Sequence, residues 1–400
     1  MQHNNYLKIQ KTKSMKKANL FLACLALGLI VLDSCKKEDS DFIPQSSAGD
    51  HASLSRQGDN SVGAVYILDN AVTGNQVIVY SRASDGSLTS AGSYPTGGNG
   101  TGSGLGSQGS VVLSEDHDYL FAVNAGSNDV SVFSVNGTQL TSLDKVSSGG
   151  MRPISVTAHE NLVYVLNAGG TGNISGFTIG ADGHLTHIAG SDKPLSSGAA
   201  GPAQVQFNPS GTQLVVTEKS TNMIDTYSID ANGSPGNVVA HPSSGATPFG
   251  FDFGKNDQLI VSDAFGGAPG ASAVTSYVLS GSGNLNLVTG PVATNQTAAC
   301  WLVVTNNGKY CYTTNTGSAS VSGYSIDDSG ALTLLNAGGV TGATGASPID
   351  MALSRNSKYL YTLNTTGHSI SMFHVNNDGS LSNVGTATGL LPGSVGIAAQ

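Results

Sequence analysis

Short runs of apolar residues alternate with polar turns along this chain from residue 64 onward. An apolar run, often after proline, leads through a polar turn to a second run that ends on a polar residue. A third run alternates strictly, and an Asp-Gly-type turn introduces a fourth. Period-two alternation between such turns predicts antiparallel β-strands. No segment after the first 35 residues has the 3.6-residue period of a long helix, so we expect an all-β fold.

This four-run unit recurs at intervals of 43 to 55 residues, measured between the polar residues that end each second run. A four-stranded unit at that period is typical of a β-propeller. Seven copies predict seven four-stranded antiparallel blades over residues 62–400. The first copy lacks a first strand, whereas residues 391–400 look like a first strand with nothing after it. We therefore expect the C-terminal strand to close the ring.

The N-terminus resembles a bacterial lipoprotein signal, which we assign to residues 1–34. Lys16 and Lys17 precede an apolar run that is too short for a stable membrane span and ends near Cys35. By this resemblance Cys35 carries the lipid, and residues 35–61 combine it with a flexible linker. The prediction is a cell-envelope protein, lipid-anchored to the outer membrane. Surface exposure stays open, as do a transmembrane anchor and an ordinary cleaved signal.

The acidic net charge of the chain excludes one class of binding partner. Without residues 1–34 the chain keeps 12 basic and 25 acidic residues, and none of the basic ones form a cluster. Nucleic-acid binding needs a clustered basic face, so this class is excluded. We expect a monomer that takes a small molecule, such as a lactone or sugar derivative, and meets the membrane only through its lipid. No cofactor is expected, and a divalent metal is left open.

Candidate chemistry lies where the second strands end. In such blades these ends and the first-strand starts meet at one mouth of the central channel. Glu218 and Asp263 lie on adjacent blades, where repulsion between them would raise a pKa and prepare a general base or gather a metal. They are our catalytic candidates. The whole ring, whose asparagines could simply cap strand ends, is Asp69, Asn124, Asn167, Glu218, Asp263, Asn315 and Asn364.

Several residues near the same mouth are candidates for substrate binding. Trp301, the only tryptophan, would either stack on a ring-shaped ligand or plug the channel. Arg152 is placed to hold a substrate carboxylate. The remaining candidates are Gln204, Phe249, Asn167 and Asn315. A G-x-G-x-x-G match at 104–109 is followed by a strand rather than a helix, so we interpret it as a flexible loop.

The repeat, with its P-x-x-V, G-x-x-L-Y-V-x-N, V-S-x-F-x-I and D-G-x-L segments, resembles the seven-bladed lactonase family over residues 64–400. This family includes bacterial 6-phosphogluconolactonases and fungal carboxymuconate cyclases. Gly201, Pro202 and Glu218 match its signature blade, where Ala203 and Gln204 replace an expected arginine and histidine. Those two residues would hold an acidic substrate and shuttle a proton.

Two hypotheses follow from the resemblance. In the first, the protein is a lactonase-like hydrolase. Glu218 would be the general base for water attacking a lactone carbonyl, helped by Asp263 and Gln204. In the second, it is a non-catalytic propeller on the cell surface that binds a ligand or a protein through the same face. The acidic pair favours the first hypothesis, and the missing arginine and histidine favour the second.

Overall fold

The computed structural model describes residues 61–400, which form seven antiparallel sheets arranged as the blades of a β-propeller. The predicted lipid site, Cys35, and nearly all of the linker lie outside the described residues. No helix among residues 61–400 is long and apolar enough to cross a membrane. The predicted all-β seven-bladed architecture is confirmed.

The strands of the first three blades are β1 (Ser61–Leu68), β2 (Gln76–Ala83), β3 (Leu88–Pro95), β4 (Val111–Leu113), β5 (Tyr119–Asn124), β6 (Asp129–Asn136), β7 (Gln139–Ser147), β8 (Pro153–His159), β9 (Leu162–Asn167), β10 (Asn173–Ile179), β11 (Leu185–His187) and β12 (Lys193–Pro194). Blades four and five contain β13 (Pro202–Phe207), β14 (Gln213–Glu218), β15 (Met223–Ser228), β16 (Val239–Pro242), β17 (Pro248–Phe253), β18 (Gln258–Asp263), β19 (Ala273–Leu279) and β20 (Leu285–Ala293).

Blades six and seven contain β21 (Ala299–Val304), β22 (Tyr310–Asn315), β23 (Ser320–Ile326), β24 (Leu332–Leu334), β25 (Gly342–Ala343), β26 (Pro348–Leu353), β27 (Tyr359–Asn364), β28 (Ser369–Val375) and β29 (Leu381–Thr388), and β30 (Val395–Ala399) follows. Two 3₁₀ turns complete the regular structure, at Lys255–Asp257 and Phe265–Gly267. The outermost strand is split in blades three and six, where β12 and β25 pair with β10 and β23.

The C-terminal strand closes the ring as expected. β30 pairs antiparallel with β1, so that Tyr66 faces Ala398 and Ile67 faces Ile397. The first sheet therefore has the order β3-β2-β1-β30, with the chain's last strand innermost. Pairing both ends of the chain in one blade removes an exposed sheet edge.

Buried tyrosines connect blades one, three, six and seven to the blade that follows each of them. The hydroxyl of Tyr164 in blade three donates to the carbonyl of Gly233 in blade four at 2.6 Å. This contact recurs in other blades, and Tyr361 of blade seven donates to Gly86 of blade one at 3.0 Å. The accepting glycine lies in the turn between third and fourth strands and has positive φ, +85° at Gly86. The Asp-Gly turns seen in the sequence thus also position acceptors for the neighbouring blade.

Two faces of the ring differ in their connections. The loop face carries the connections between blades and the loops between second and third strands. The turn face carries the tight turns between first and second strands, such as 114–118 and 208–212. The innermost strands surround the channel that joins the two faces.

Candidate functional site

A single segment crosses the channel at the loop face. This channel loop, residues 104–109, lies between blades one and two but reaches three other blades. Ser107 donates to the carbonyl of Ile154 in blade three at 2.7 Å, and the Gln108 amide donates to Ala203 in blade four at 3.1 Å. The Trp301 indole of blade six donates to the Ser107 carbonyl at 2.7 Å. Our interpretation of 104–109 as a flexible loop is therefore wrong, because hydrogen bonds to opposite sides of the ring hold it.

The side chain of Gln108 fastens this loop to blade six. Its amide donates to the Leu302 carbonyl at 2.7 Å and its oxygen accepts from the Leu302 amide at 3.0 Å. The carboxamide thus satisfies the backbone C=O and N–H of Leu302, as the backbone of a neighbouring β-strand would. Gly250 makes room for it, since a Cβ at that position would lie 2.2 Å from the Gln108 oxygen.

Three predicted substrate-binding residues gather beneath the channel loop. The rings of Phe249 and Trp301 lie 4.8 Å apart, and the Lys219 ammonium lies 4.7 Å above the Phe249 ring. Both aromatic residues are buried. Gln204 is also buried and uses both ends of its carboxamide on the Phe251 backbone, at 2.8 Å each. Of the two expectations for Trp301, the geometry matches the channel plug.

The ring of second-strand ends does not form an open mouth. All seven side chains are buried, and Asn124 of blade two also accepts a hydrogen bond from Asn75 of blade one. Asn315 shows the common arrangement, because its amide donates to Ser320 at 3.1 Å and to Ser322, seven residues further on, at 2.9 Å. Asn364 repeats it with Ser369 and Ser371. These asparagines join second strands to third strands, as their capping interpretation anticipated.

Blade four alone has a carboxyl group both at the end of its second strand and seven residues later on its third strand. Glu218 is fully buried, and Asp225, seven residues later, occupies the place that serine holds in blades two, six and seven. The Ser196 amide lies 3.0 Å from Oε1 of Glu218 and 3.0 Å from Oδ2 of Asp225, and the Ser196 hydroxyl donates to Oε2 of Glu218 at 2.7 Å. Thr221 also donates to Oε2.

Electrostatics separates the roles of these two acids. Burial, followed by the nearby Glu218, raises the pKa of Asp225 far above its usual range. Glu218 accepts hydrogen bonds from the Ser196 amide, the Ser196 hydroxyl and the Thr221 hydroxyl. The raised pKa keeps a proton on Asp225 at pH 7, next to a Glu218 side chain that accepts three hydrogen bonds.

Asp263 is not the partner of Glu218. Burial raises its pKa to about 8, and its Thr275 neighbour donates one hydrogen bond of 2.5 Å that opposes the shift. The carboxylate that Glu218 faces is Asp225 of its own blade. The expected repulsion across two blades is thus replaced by a pair within one blade. Comparing the repeats would have identified Asp225, because the third strands of blades two, six and seven carry serine seven residues after the ring position.

The other predicted contacts are dispersed. Arg152 is exposed before β8, has positive φ and donates its backbone amide to Asn128 at 2.7 Å. Asn167 donates to the Ser148 carbonyl at 3.0 Å beneath the loop that precedes blade three. The structure therefore does not bring Arg152 and Asn167 together with the residues under the channel loop in one cavity.

An open cavity lies at the other end of the channel. It has a volume of about 510 Å³ and runs from Gln108 and Gln204 down to the turn face, at Glu115 and His117. Of the residues predicted for substrate binding or catalysis, only Gln204 lines it. Asp252 and Asp350 lie on its wall, and burial raises the pKa of both. Within residues 61–400, no three His, Cys, Asp or Glu side chains group as metal ligands.

Comparison with known proteins supports the fold throughout the ring. The family model for the lactonase, 7-bladed beta-propeller, matches residues 73–192 and 266–393. The chain is 25% identical over 163 residues to a 6-phosphogluconolactonase from Yersinia enterocolitica, and this match spans 41% of the chain and 47% of the relative. The chain thus spans about half the length of this curated relative.

Two solved structures are similar over most of the ring. A periplasmic gluconolactonase from Pseudomonas aeruginosa has a TM-score of 0.61 at 15% identity, covering 84% of this chain and 99% of that one. A candidate 6-phosphogluconolactonase from Bacteroides uniformis has a TM-score of 0.66 at 19% identity, with the same coverage of 84% and 99%. At these identities the likeness establishes the fold alone.

The family match is interrupted where our catalytic candidates lie. Its two segments leave out 193–265, which contains Ser196, Gln204, Glu218, Asp225 and Asp263. The buried carboxyl pair of blade four therefore lies in the part of the chain outside the match.

Proposed function

Since the chain belongs to the seven-bladed β-propeller lactonase family, we propose that it hydrolyses a lactone with the Glu218–Asp225 pair as general base and general acid. The carrying observation is that blade four buries two carboxyl groups where blades two, six and seven use asparagine and serine. Burying carboxyl groups is costly, and a neutral pair suffices to join the strands elsewhere in the same ring. The seven repeats thus serve as internal references for the unusual one.

We assign a different role to each acid. Glu218, as a carboxylate, takes a proton from water as the water oxygen attacks the lactone carbonyl carbon. Asp225 gives its proton to the ring oxygen as the acyl carbon–oxygen bond breaks, which leaves a hydroxyl group and a carboxylic acid. A pair of carboxyl groups that shares one proton is suited to this exchange.

Access to the pair requires a small local movement. Ser196 is exposed and Thr221 is half-buried, so a single loop residue separates the carboxyl pair from solvent on the loop face. The segment 196–201 consists of serine, glycine and alanine only, which have little side-chain volume to hold it in place. A substrate that displaces Ser196 would reach both acids at once and inherit its hydrogen bonds.

A lactone panel on the purified full chain tests this proposal. Glucono-δ-lactone and simple γ- and δ-lactones would be followed by acid release at pH 7. We expect turnover in the wild type and a loss of at least about 100-fold in Glu218→Gln and in Asp225→Asn. The matched control is Asp69→Asn, which alters a ring carboxylate bonded only to backbone amides of Ala71 and Gln76.

Two results would refute the assignment: no turnover of any lactone, or turnover in Glu218→Gln at the wild-type rate. The first would favour the second candidate, a non-catalytic propeller that binds a ligand or protein. The observation behind that candidate is the closed loop face, where Trp301, Leu302 and Lys219 form hydrogen bonds with the channel loop.

We place the protein in the cell envelope, held by a lipid on Cys35. The support is the N-terminal sequence pattern, together with the periplasmic description of the Pseudomonas aeruginosa relative. Metabolic labelling with an alkyne fatty acid tests it, because labelling must disappear in Cys35→Ser. Labelling that persists in that variant would refute the lipid site.

A further inference from the structure

The channel cavity on the turn face is separate from the carboxyl pair of blade four. Its volume of about 510 Å³ is in the range of sites for small organic molecules. Neither Glu218 nor Asp225 lines it, and its wall is formed by the innermost strands and their turns. Any ligand here would be recognised by a different set of groups.

The wall of this cavity is made by side chains that bond to the next blade. Each innermost strand has an edge facing the channel, with backbone groups that need partners. Gln204 of blade four satisfies both the N–H and the C=O of Phe251 in blade five. Asp252 of blade five accepts from the Val304 amide of blade six at 2.8 Å and from Gln206 at 2.9 Å. Every polar side-chain atom of Gln204 and Asp252 therefore takes part in a hydrogen bond.

Asp350 of blade seven is the exception. It is 2% exposed and lines the cavity, and its Oδ1 accepts from the Met351 amide at 2.8 Å. Its Oδ2 is buried and makes no hydrogen bond of regular geometry among the described residues, although the Ile397 backbone amide of the closing strand also faces this carboxyl group. An unpartnered buried carboxyl oxygen costs free energy that a ligand donor would recover.

The charge of the lining selects the kind of donor. The acidic residues on the wall are Glu115, Asp252 and Asp350, and no lysine or arginine lines the cavity. Burial lowers the pKa of His117 at the rim, so this ring is neutral at pH 7. Burial raises the pKa of Asp252 and Asp350, so a cation that enters the cavity favours their ionised forms, whereas an anion meets acidic groups and no basic one. Sugar phosphates and aldonates are therefore unsuited to this cavity.

We propose that the turn-face end of the channel binds a small organic cation, whose primary ammonium group donates to Oδ2 of Asp350. The ammonium supplies a hydrogen bond to this carboxyl group. Its positive charge also lowers the pKa that burial has raised, so that binding favours the ionised form of Asp350. Glu115, whose side chain is 63% exposed at the rim and contacts His159 at 2.8 Å, adds to the attraction of cations at the entrance.

The test uses isothermal titration of the full chain with matched probes. Putrescine, spermidine and glucosamine carry ammonium groups, whereas glucose and N-acetylglucosamine are neutral counterparts of the last. We expect at least one amine to bind, and its affinity to exceed that of the neutral sugars by about tenfold or more. Asp350→Asn should weaken amine binding by a similar factor, while Asp69→Asn, which lies outside the cavity, should leave it unchanged.

The comparison of glucosamine with its neutral counterparts needs no variant, so it decides the question even if Asp350→Asn folds poorly. Asp350→Ser and the melting temperature of each variant separate lost binding from lost structure. The proposal is overturned if no amine binds at about 10 mM, if neutral sugars bind as well as amines, or if Ca²⁺ alone binds and Asp350→Asn abolishes it. Lactone hydrolysis should persist in Asp350→Asn, because the two sites share no residue.

Discussion

Glu218 and Asp225 share one donor: the backbone amide of Ser196 lies 3.0 Å from an oxygen of each carboxyl group. The sharing brings both acids beneath the same exposed residue, although seven positions separate them in sequence. In blades six and seven the corresponding residues are Asn315 with Ser322 and Asn364 with Ser371. Blade four therefore keeps the geometry of the repeat but changes its chemistry.

The first prediction concerns the double variant Glu218→Asn, Asp225→Ser, which gives blade four the polar pair of blades six and seven. It should fold, and its free energy of unfolding at pH 8 should equal or exceed that of the wild type, because two buried carboxyl groups are removed. Urea unfolding measures this. Lactone hydrolysis should be lost in the same variant. A destabilisation above about 2 kcal/mol would instead mark the acids as structural.

A second prediction follows from Asp263. Its pKa is about 8 in the folded protein against 3.8 as the ordinary value. Between those values the native state binds more protons than the unfolded state, so the free energy of unfolding falls as pH rises from 4 to 8. The decrease is on the order of a few kcal/mol.

In Asp263→Asn this contribution is absent, so the melting temperature should change less between pH 5 and pH 8 than in the wild type. Asparagine already occupies this ring position in blades two, six and seven, which makes the substitution compatible with the fold. Asp225 shifts in the same direction and keeps part of the dependence in the variant. An unaltered pH profile would show that Asp263 is ionised in the native state.

The third prediction is the loss of ring closure. Deleting residues 391–400 removes β30, including the buried side chains of Val395 and Ile397 and the pairing with β1. Each buried aliphatic side chain contributes about 1.5–3 kcal/mol, and the edge of β1 becomes exposed. We expect a fall of the melting temperature by at least about 10 °C, or insoluble protein. Leu391→Ser, an exposed residue before the strand, is the control and should melt like the wild type.

The fourth prediction uses Trp301, the only tryptophan, as a reporter of the channel loop. Its indole is buried and bonded to Ser107, so its fluorescence should be blue-shifted and protected from acrylamide. Gly250→Ala places a methyl group 2.2 Å from the Gln108 oxygen and 2.7 Å from the Cys300 carbonyl oxygen. The variant should lose about 1–3 kcal/mol and show a red shift with greater quenching. The control is Gly104→Ala, which should behave like the wild type because a Cβ at this position contacts nothing within 4 Å.

Much of the fold was predictable because the signals are local and repeated. Alternation over four to eight residues and Asp-Gly turns specify each strand and its antiparallel neighbour. Because the pattern occurs seven times, a weak signal in one repeat is corrected by comparison with the others. The ends of the second strands at Asn124, Asn167, Glu218, Asp263, Asn315 and Asn364 agree with the structure. Only the first blade differs, where β1 ends at Leu68, one residue before Asp69.

The candidate site was less predictable because it depends on side-chain directions and distant segments. Placing Glu218 and Asp263 at equivalent positions of adjacent blades was correct, but the sequence period does not say which acid each faces. The channel loop closes the loop face through a contact between Gln108 and Leu302, which are 194 residues apart. No local pattern in a glycine-rich segment signals such a contact.

By itself, then, the sequence determined the seven blades, the ring closure by the C-terminal strand and the family, since strand alternation and turn chemistry act over a few residues and repeat. The tertiary structure alone decided which end of the channel is open, that Trp301 lies beneath a loop, and that Asp225 is the partner of Glu218. Those features arise where packing brings together residues from separate blades or strands, and burial there sets which carboxyl groups keep their protons.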